Sequence, residues 1–396
     1  MSDPDQFRLQ TREWLVANCP ASMRGPAAPE AIYRGGRKGS FPSPDAQTWF
    51  ERMLERGWTA PDWPEEFGGG GLDAKHTKVL REEMKALGCR VPLSGSGLWM
   101  LGPALLEFGT LEQQQQHLPK ILRGEIRWCQ GYSEPGAGSD LANLSCKAVQ
   151  EGELLRINGT KIWTSGADQS DWIFCLVRTS DQGPKQSGIT FLLIDMAQPG
   201  VTVKPIELIS GDSEFCQTFF DDATAHIRNV IGGLNQGWAV AKRLLHYERA
   251  LMSELSAVSA GPKLTPVDCA LKFSAAGPEG TLDPVTRDRL ARYQMDRMAM
   301  EHTRQQLFEA SVSGVDTSNT QLILKICATE LDQQRAELLL ELMGMQGLGW
   351  EGEAFSEEEL QLLRQWAYSK ALTIAGGSSE VQLNVIARRA LQLPTR

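Results

Sequence analysis

Three stretches of the chain carry residue types that can do chemistry. The first is a loop, Ser133-Glu134-Pro135-Gly136-Ala137-Gly138-Ser139-Asp140, with two glycines and a proline among small polar residues. Glycine has no β-carbon to hold a ligand off, so such a loop can bring backbone N–H groups close to a planar or anionic group. The second runs from Asn158 to Ala167 and offers the Trp163 ring for stacking, followed by the hydroxyls of Thr164 and Ser165. The third is one carboxylate, Glu248. Between Trp238 and Leu255 the apolar stripe Ala241, Leu244/Leu245, Leu251/Met252, Leu255 recurs at helical spacing, and Glu248 falls inside it, while Lys242, His246, Arg249 and Ser253 fall elsewhere. A carboxylate on an apolar face is costly unless it is paired or functional, and burial raises its pKa. Glu248 therefore reads either as half of a buried ion pair or as a general base. No lysine followed by Ser or Thr completes a phosphate-cradling loop, no GxGxxG follows a strand, and neither the histidines nor the cysteines show metal-ligand spacing.

These residues need elements to place them. From Asp5 to about Gly124 the pattern is helical, beginning with Phe7, Thr11, Trp14 and Leu15, and it resumes over Trp49–Arg56, 74–87, 96–108 and 111–123. Pro20 to Pro44 and residues 61–71 read as loops. After Ile126, β-branched and aromatic runs predict strands at Leu154–Ile157, Trp172–Val177, Ile189–Ile194 and Val201–Leu208. Asn158-Gly159 and residues 180–184 are read as the turns between them. From Gly237 the chain is helical again, with breaks near 261–266 and 275–284. Ser379 with Gln382 reads as a capping box opening the last helix, whose free N–H groups after Gly376 and Gly377 suit an anionic or carbonyl oxygen. Glu357 to Glu359 reads as a solvated face. The order helices, strands, helices predicts segregated layers of a multidomain α+β protein.

Bulk properties narrow the class. At 396 residues two or three packed domains are expected. A net charge of −9 argues against a general nucleic-acid binder, which needs a basic face, and leaves room for a small anionic ligand in a local basic pocket. No apolar run reaches the roughly 20 residues that span a bilayer, and the N-terminus lacks a signal-peptide pattern, so a cytoplasmic protein with free thiols at its eight cysteines is expected.

Taken in order, several segments resemble the acyl-CoA dehydrogenase family across nearly the whole chain. They are GluGluPheGlyGly (65–69), GluPheGlyThr (107–110) with LeuProLys (118–120), Gly131 to Asn143, Asn158 to Ala167, AsnGlnGlyTrp (235–238), TyrGluArgAla (247–250), GlyMetGlnGlyLeuGly (344–349) and GlyGlySerSerGluValGlnLeu (376–383). The resemblance implies a helical N-terminal domain (1–124), a middle β-barrel domain (125–235) and a C-terminal four-helix bundle (236–396). It implies FAD held by Gln130, Tyr132, Ser133, Gly138, Ser139, Trp163, Thr164, Ser165, Gly344, Ser378, Ser379 and Glu380. It also implies an acyl-CoA substrate near Ser139, Tyr247, Arg249, Gly376 and Gly377. Arg249 suits either a CoA phosphate or a carboxylate.

The family removes the α-proton of a thioester with a carboxylate while the β-hydride passes to flavin. In many members the base precedes the last helix, but the matching position here is Gly376; in the isovaleryl and long-chain types it matches Glu248. The arginine expected near 272 is replaced by Lys272, which lacks the bidentate fork for phosphate, and the expected glycine pair is Gly344-Met345. These departures resemble a bacterial subgroup acting on steroid side chains, in which two different chains assemble. The implied partners are an electron-transfer flavoprotein and either a second copy, as dimer or tetramer, or a paralogue in a heterotetramer. The other readings are a non-catalytic half-site subunit and an oxygen-using oxidase or monooxygenase on the same fold.

Overall fold

The structure, a computed structural model, describes residues 3–27, 29–245, 264–273 and 282–394. Helix α1 (Pro4–Asn18) starts with proline in its first turn, where the missing N–H costs nothing. It is followed by α2 (Pro44–Glu55), capped by the Ser43 hydroxyl, and α3 (Ala74–Ala86), capped by Asp73. Leu15, Trp49, Met53, Trp58 and Leu80 form their shared core. Buried Glu83 receives Arg8 at 2.8 Å and Arg12 at 3.3 Å, which ties α3 to α1. Helices α4 (Gly102–Phe108) and α5 (Leu111–Leu122) complete the first layer, α5 opening with a reciprocal Thr110/Gln113 capping box. The GluGluPheGlyGly segment is a packing knot: a β-carbon at Gly69 would lie 2.3 Å from the Trp63 carbonyl oxygen.

The middle of the chain is one eight-stranded sheet in the order β6-β7-β3-β2-β4-β5-β8, with β1 alongside β4. Its strands are β1 (Trp128–Gly131), β2 (Lys147–Glu151), β3 (Leu154–Ser165), β4 (Trp172–Arg178), β5 (Ile189–Asp195), β6 (Val201–Ile206), β7 (Phe215–His226) and β8 (Val230–Ile231). The two halves meet at one parallel pairing, Lys147 with Arg178, and curl around a common core of Ile173, Cys175, Leu155, Ile157, Cys216 and Phe220. The opposite face of β4 and β5 presents Phe174, Leu176, Phe191 and Leu193 to the N-terminal helices. Strands covered on both faces cannot alternate polar with apolar, which is why these two read as unbroken apolar runs.

Asn158-Gly159, expected as a turn, lies inside β3. The turn between β2 and β3 is formed by Gly152, at φ +64°, and Glu153, while the ladder with β7 shifts register between Ile157 and Gly159. A β-carbon on Gly159 would lie 2.6 Å from Cys146 Cα, so this glycine serves a close strand crossing.

Residues 237–245 form α6. Val240, Ala241 and Leu244 are buried while Lys242 and Arg243 are exposed, so the apolar stripe holds over its described part. Gly237 is pressed on β5, its would-be β-carbon 2.2 Å from Phe191 N. Residues 1–206 and 214–262 make one compact unit.

The second unit comprises 207–213 and 263–396. Its helices are α7 (Pro266–Phe273), α8 (Pro284–Val312), α9 (Ser318–Met343), α10 (Glu357–Leu372) and α11 (Ser379–Arg389), with α7, α8, α10 and α11 packed on α9. The acidic run 357–359 is the first turn of α10, where Ser356 and Glu359 form a capping box and negative charge meets the positive end of the helix. All eight cysteines are free thiols, and no helix among the described residues is long and apolar enough to cross a membrane.

Candidate functional site

The two chemistry-bearing segments of the sheet lie side by side. Ile162 N donates to Ser133 O at 2.9 Å, so the loop after β1 runs along the end of β3. There β3 carries one extra residue, because Lys161 pairs with Thr218 and Thr164 with Cys216. The bulge puts Lys161 and Thr164 both inside, fully buried, and turns Trp163 and Ser165 outward. Trp163 takes φ +60°, rare for a bulky side chain, and is 54% exposed with its ring edge-on to Phe215 at 6.1 Å. The Thr164 hydroxyl is buried without a hydrogen-bond partner.

Ser133 is half-buried at the root of the loop, and Ser139 and Gly138 are exposed at its tip. Glu134 and Ala137 bond backbone to backbone, closing a tight turn over Pro135-Gly136. Gln130 and Tyr132 lie at alternate positions of the β1 segment; Tyr132 packs edge-on to Phe174 and Phe191. Beyond the loop tip is a cavity of about 250 Å³ lined by Ser145, Lys147, Arg178, Asp181 and Lys185. Lys147 and Lys185 lean toward Asp181 and Asp140, at 3.6 and 3.2 Å, and Arg178 donates to the carbonyls of Ala142, Leu144 and Lys185. Sequence inspection missed this lining, since its basic residues are 38 positions apart at the extremes and are gathered by the Lys147–Arg178 strand pairing together with the Arg178 bonds to the carbonyls of Ala142, Leu144 and Lys185.

In the second unit the last helix is capped by Ser378, whose hydroxyl accepts from Val381 N at 3.4 Å. The expected Ser379/Gln382 box does not form. Gly376 and Gly377 take φ +65° and +96°, so the helix is entered one residue earlier, and the Gln382 amide turns back to Gly376 O. Ser379 Oγ is buried without a partner. Glu380 is held below the ordinary carboxylate range, first by its own backbone N–H, then by the Ser378 hydroxyl, with Lys325 adding attraction. Lys325 also donates to Gly377 O at 2.8 Å. Gly344 ends α9 at φ +58° and lines an apolar groove with Gly347, Leu348 and Trp366. Lys272 is paired with Glu358 at 2.7 Å. Tyr247, Glu248 and Arg249 lie outside the described residues.

The chain matches the acyl-CoA dehydrogenase N-terminal domain over residues 15–125, the middle domain over 129–223 and the C-terminal domain over 235–391. It belongs to the acyl-CoA dehydrogenase family. It is similar to acyl-CoA dehydrogenase IpdE1 of Mycobacterium tuberculosis, at 35% identity with 100% of this chain and 99% of that one covered. It is also similar to acyl-CoA dehydrogenase FadE34 of the same organism, at 34% identity with 86% of this chain and 45% of that one covered. Among solved structures it resembles the ChsE4–ChsE5 complex from Mycobacterium tuberculosis, at 26% identity and a TM-score of 0.72, with 100% of this chain and 99% of that one covered. The Tcur3481–Tcur3483 steroid ACAD matches at 26% identity and a TM-score of 0.72, with 99% of this chain and 98% of that one covered. The chain is thus an oxidoreductase of the acyl-CoA dehydrogenase type, from a family of flavoproteins.

The residues present fit a flavin. In the first unit, an outward indole on a strained bulge beside the hydroxyl residues Ser133 and Ser165 is the kind of surface that takes a planar ring. In the second, taken by itself, a capped helix start with an orphaned Ser379 hydroxyl suits a polar or anionic group.

Proposed function

We propose that the chain catalyses α,β-desaturation of an acyl-CoA thioester with FAD as cofactor. The observation that carries this reading is the Ile162–Ser133 hydrogen bond, which joins two segments distant in sequence into one outward-facing surface. Ser133, Trp163 and Ser165 would hold the reactive ring end, and Ser378, Ser379 and Glu380 the adenosine half. FAD, when bound, supplies the hydride acceptor. Ser139, exposed at the loop tip, would lie near the acyl-CoA substrate.

Glu248 is the proposed base. It continues the helical spacing of buried Ala241 and Leu244, and an apolar setting suits a carboxylate that must take a weakly acidic α-proton. The proton passes to its carboxylate, the β-hydrogen leaves with its electron pair, and a double bond forms in conjugation with the thioester. The alternative position, Gly376, has a left-handed φ and no side chain. The two electrons then go to an electron-transfer flavoprotein. Glu248→Gln is expected to keep its flavin and lose its reduction by acyl-CoA; rapid anaerobic bleaching of that variant would remove Glu248 from this role. A panel of straight, branched, aromatic and steroidal thioesters, scored by bleaching of the wild-type enzyme, identifies the acyl group. Similarity to a steroid ACAD puts steroidal thioesters first in that panel.

A half-site role beside a paralogue is the second reading, favoured by the two-component make-up of the similar Tcur3481–Tcur3483 and ChsE4–ChsE5 structures. Purification alone and with a neighbouring paralogue, scored by flavin per chain, separates the two.

A further inference from the structure

Glu134 and Lys161 form an ion pair inside the sheet. Nζ lies 2.7 Å from Oε1, and the side chains are 5% and 0% exposed. The carboxylate is saturated with donors. Oε2 takes Ser145 N at 2.7 Å and Ser145 Oγ at 2.8 Å, while Oε1 takes Cys146 N at 2.9 Å besides the ammonium. Lys161 Nζ donates in addition to Tyr132 O at 3.2 Å. Burial works against charge on Glu134, yet attraction to Lys161 and these donors outweigh it and hold the carboxyl below its ordinary value.

A buried pair of this kind is a weak device for stability, since an apolar pair of similar volume is often no worse. Its geometry is more telling. It fixes position 132 at the entry of the 133–140 loop, positions 145 and 146 at its exit, and position 161 on the strand beside it. Ser133 follows Tyr132, and the Trp163 bulge begins directly after Lys161. The backbone bond between Ile162 and Ser133 sits between these fixed points.

We infer that Glu134 and Lys161 are positioning residues for the flavin: their pair sets the Ser133 hydroxyl against the Trp163–Ser165 bulge, and neither side chain touches the ring. This rests on the reading that flavin lies on Ser133 and Trp163–Ser165. Misplacement by a fraction of an ångström slows an oriented reaction far more than it weakens binding.

The test is the variant E134L/K161M, which removes both charges at similar volume, with E134Q and S165A alongside. The expected double variant folds and binds flavin, with a melting temperature lowered by the Ser145 and Cys146 donors it leaves unpaired and with altered visible absorption and circular dichroism. Its kcat falls about 10- to 100-fold, with KM changed much less. A folded double variant with wild-type spectrum and kcat overturns the inference. If the double variant does not fold, E134Q decides by the same readouts, an unchanged spectrum and rate overturning the inference and altered ones supporting it. S165A checks the underlying reading separately. If its flavin spectrum and rate match wild type, the placement of the ring at this surface fails whatever the other variants do.

Discussion

At Trp163 two opposing effects meet on one side chain. Its left-handed backbone costs a non-glycine residue about 1–3 kcal/mol, and with more than half of its surface exposed it recovers little of that by burial. Such a residue is held for what its ring does. Trp163→Gly relieves the strain and deletes the ring, so the flavin-free protein should melt at or above wild type while flavin per chain falls; differential scanning calorimetry and absorbance measure the two. A lower melting temperature of the flavin-free variant would make Trp163 a packing residue. Gly376 is the converse case. No atom lies within 4 Å of a β-carbon built there, so space alone does not exclude a side chain, but its φ of +65° does at a cost. The proposed base at Glu248 therefore stands on the spacing of Ala241 and Leu244, and its glutamine variant is the direct check.

At the scale of elements, α5 meets the sheet through His117, which packs between Trp128 and Trp172 with ring centroids 5.4 and 5.5 Å away. Neither ring nitrogen has a hydrogen-bond partner, and burial, with Lys120 nearby, pushes its pKa down to about 4. In the fold the ring stays neutral while the unfolded chain takes up a proton below about pH 6.5. Stability is therefore lost as pH falls from 6.5 toward 4, by about 3 kcal/mol in total. His117→Phe should melt at a temperature that varies less over this window and should exceed wild type at pH 5; equal pH slopes would show that other groups govern acid stability. The elements around this contact were legible where one face is buried and the run is long, as in α1, α3, β4 and β5. Strands β1, β2 and β7 were not. Lys147–Glu151 is nearly all exposed, and Asp221-Asp222 inside β7 has turn composition, Asp222 itself standing at φ +53°. Asn158-Gly159 misled because the pair reports only a backbone able to take unusual φ, which a close crossing uses as readily as a hairpin. The outward surface of Ser133, Trp163 and Ser165 was named by family resemblance, whereas its adjacency, the inward turn of Thr164 and the Glu134–Lys161 pair come from a bulge that no local pattern announces.

At the scale of the whole molecule, the first unit has continuous cores, whereas the second has none among the described residues. Its clusters hold only a few buried residues each, α11 buries none, and Met345, Leu348, Ile374, Leu383 and Leu391 are each more than half exposed. Apolar side chains displayed on several helices of one unit mark an interaction surface. The Tcur3481–Tcur3483 and ChsE4–ChsE5 structures, to which the chain is similar, each name two components. We therefore propose an assembly of two or more chains, through which flavin binding becomes concentration-dependent, because a ligand that needs the assembled state stabilises it by mass action. Leu383→Lys leaves α11 a good helix former and places charge on this surface. Light scattering after size exclusion should show the wild-type chain, alone or with its paralogue, above monomer mass. The variant should be nearer monomer mass and lose flavin on dilution. A wild-type chain that is monomeric in both preparations while retaining its flavin would show that this surface is covered by nothing the enzyme needs, and the site would then have to be complete within one chain.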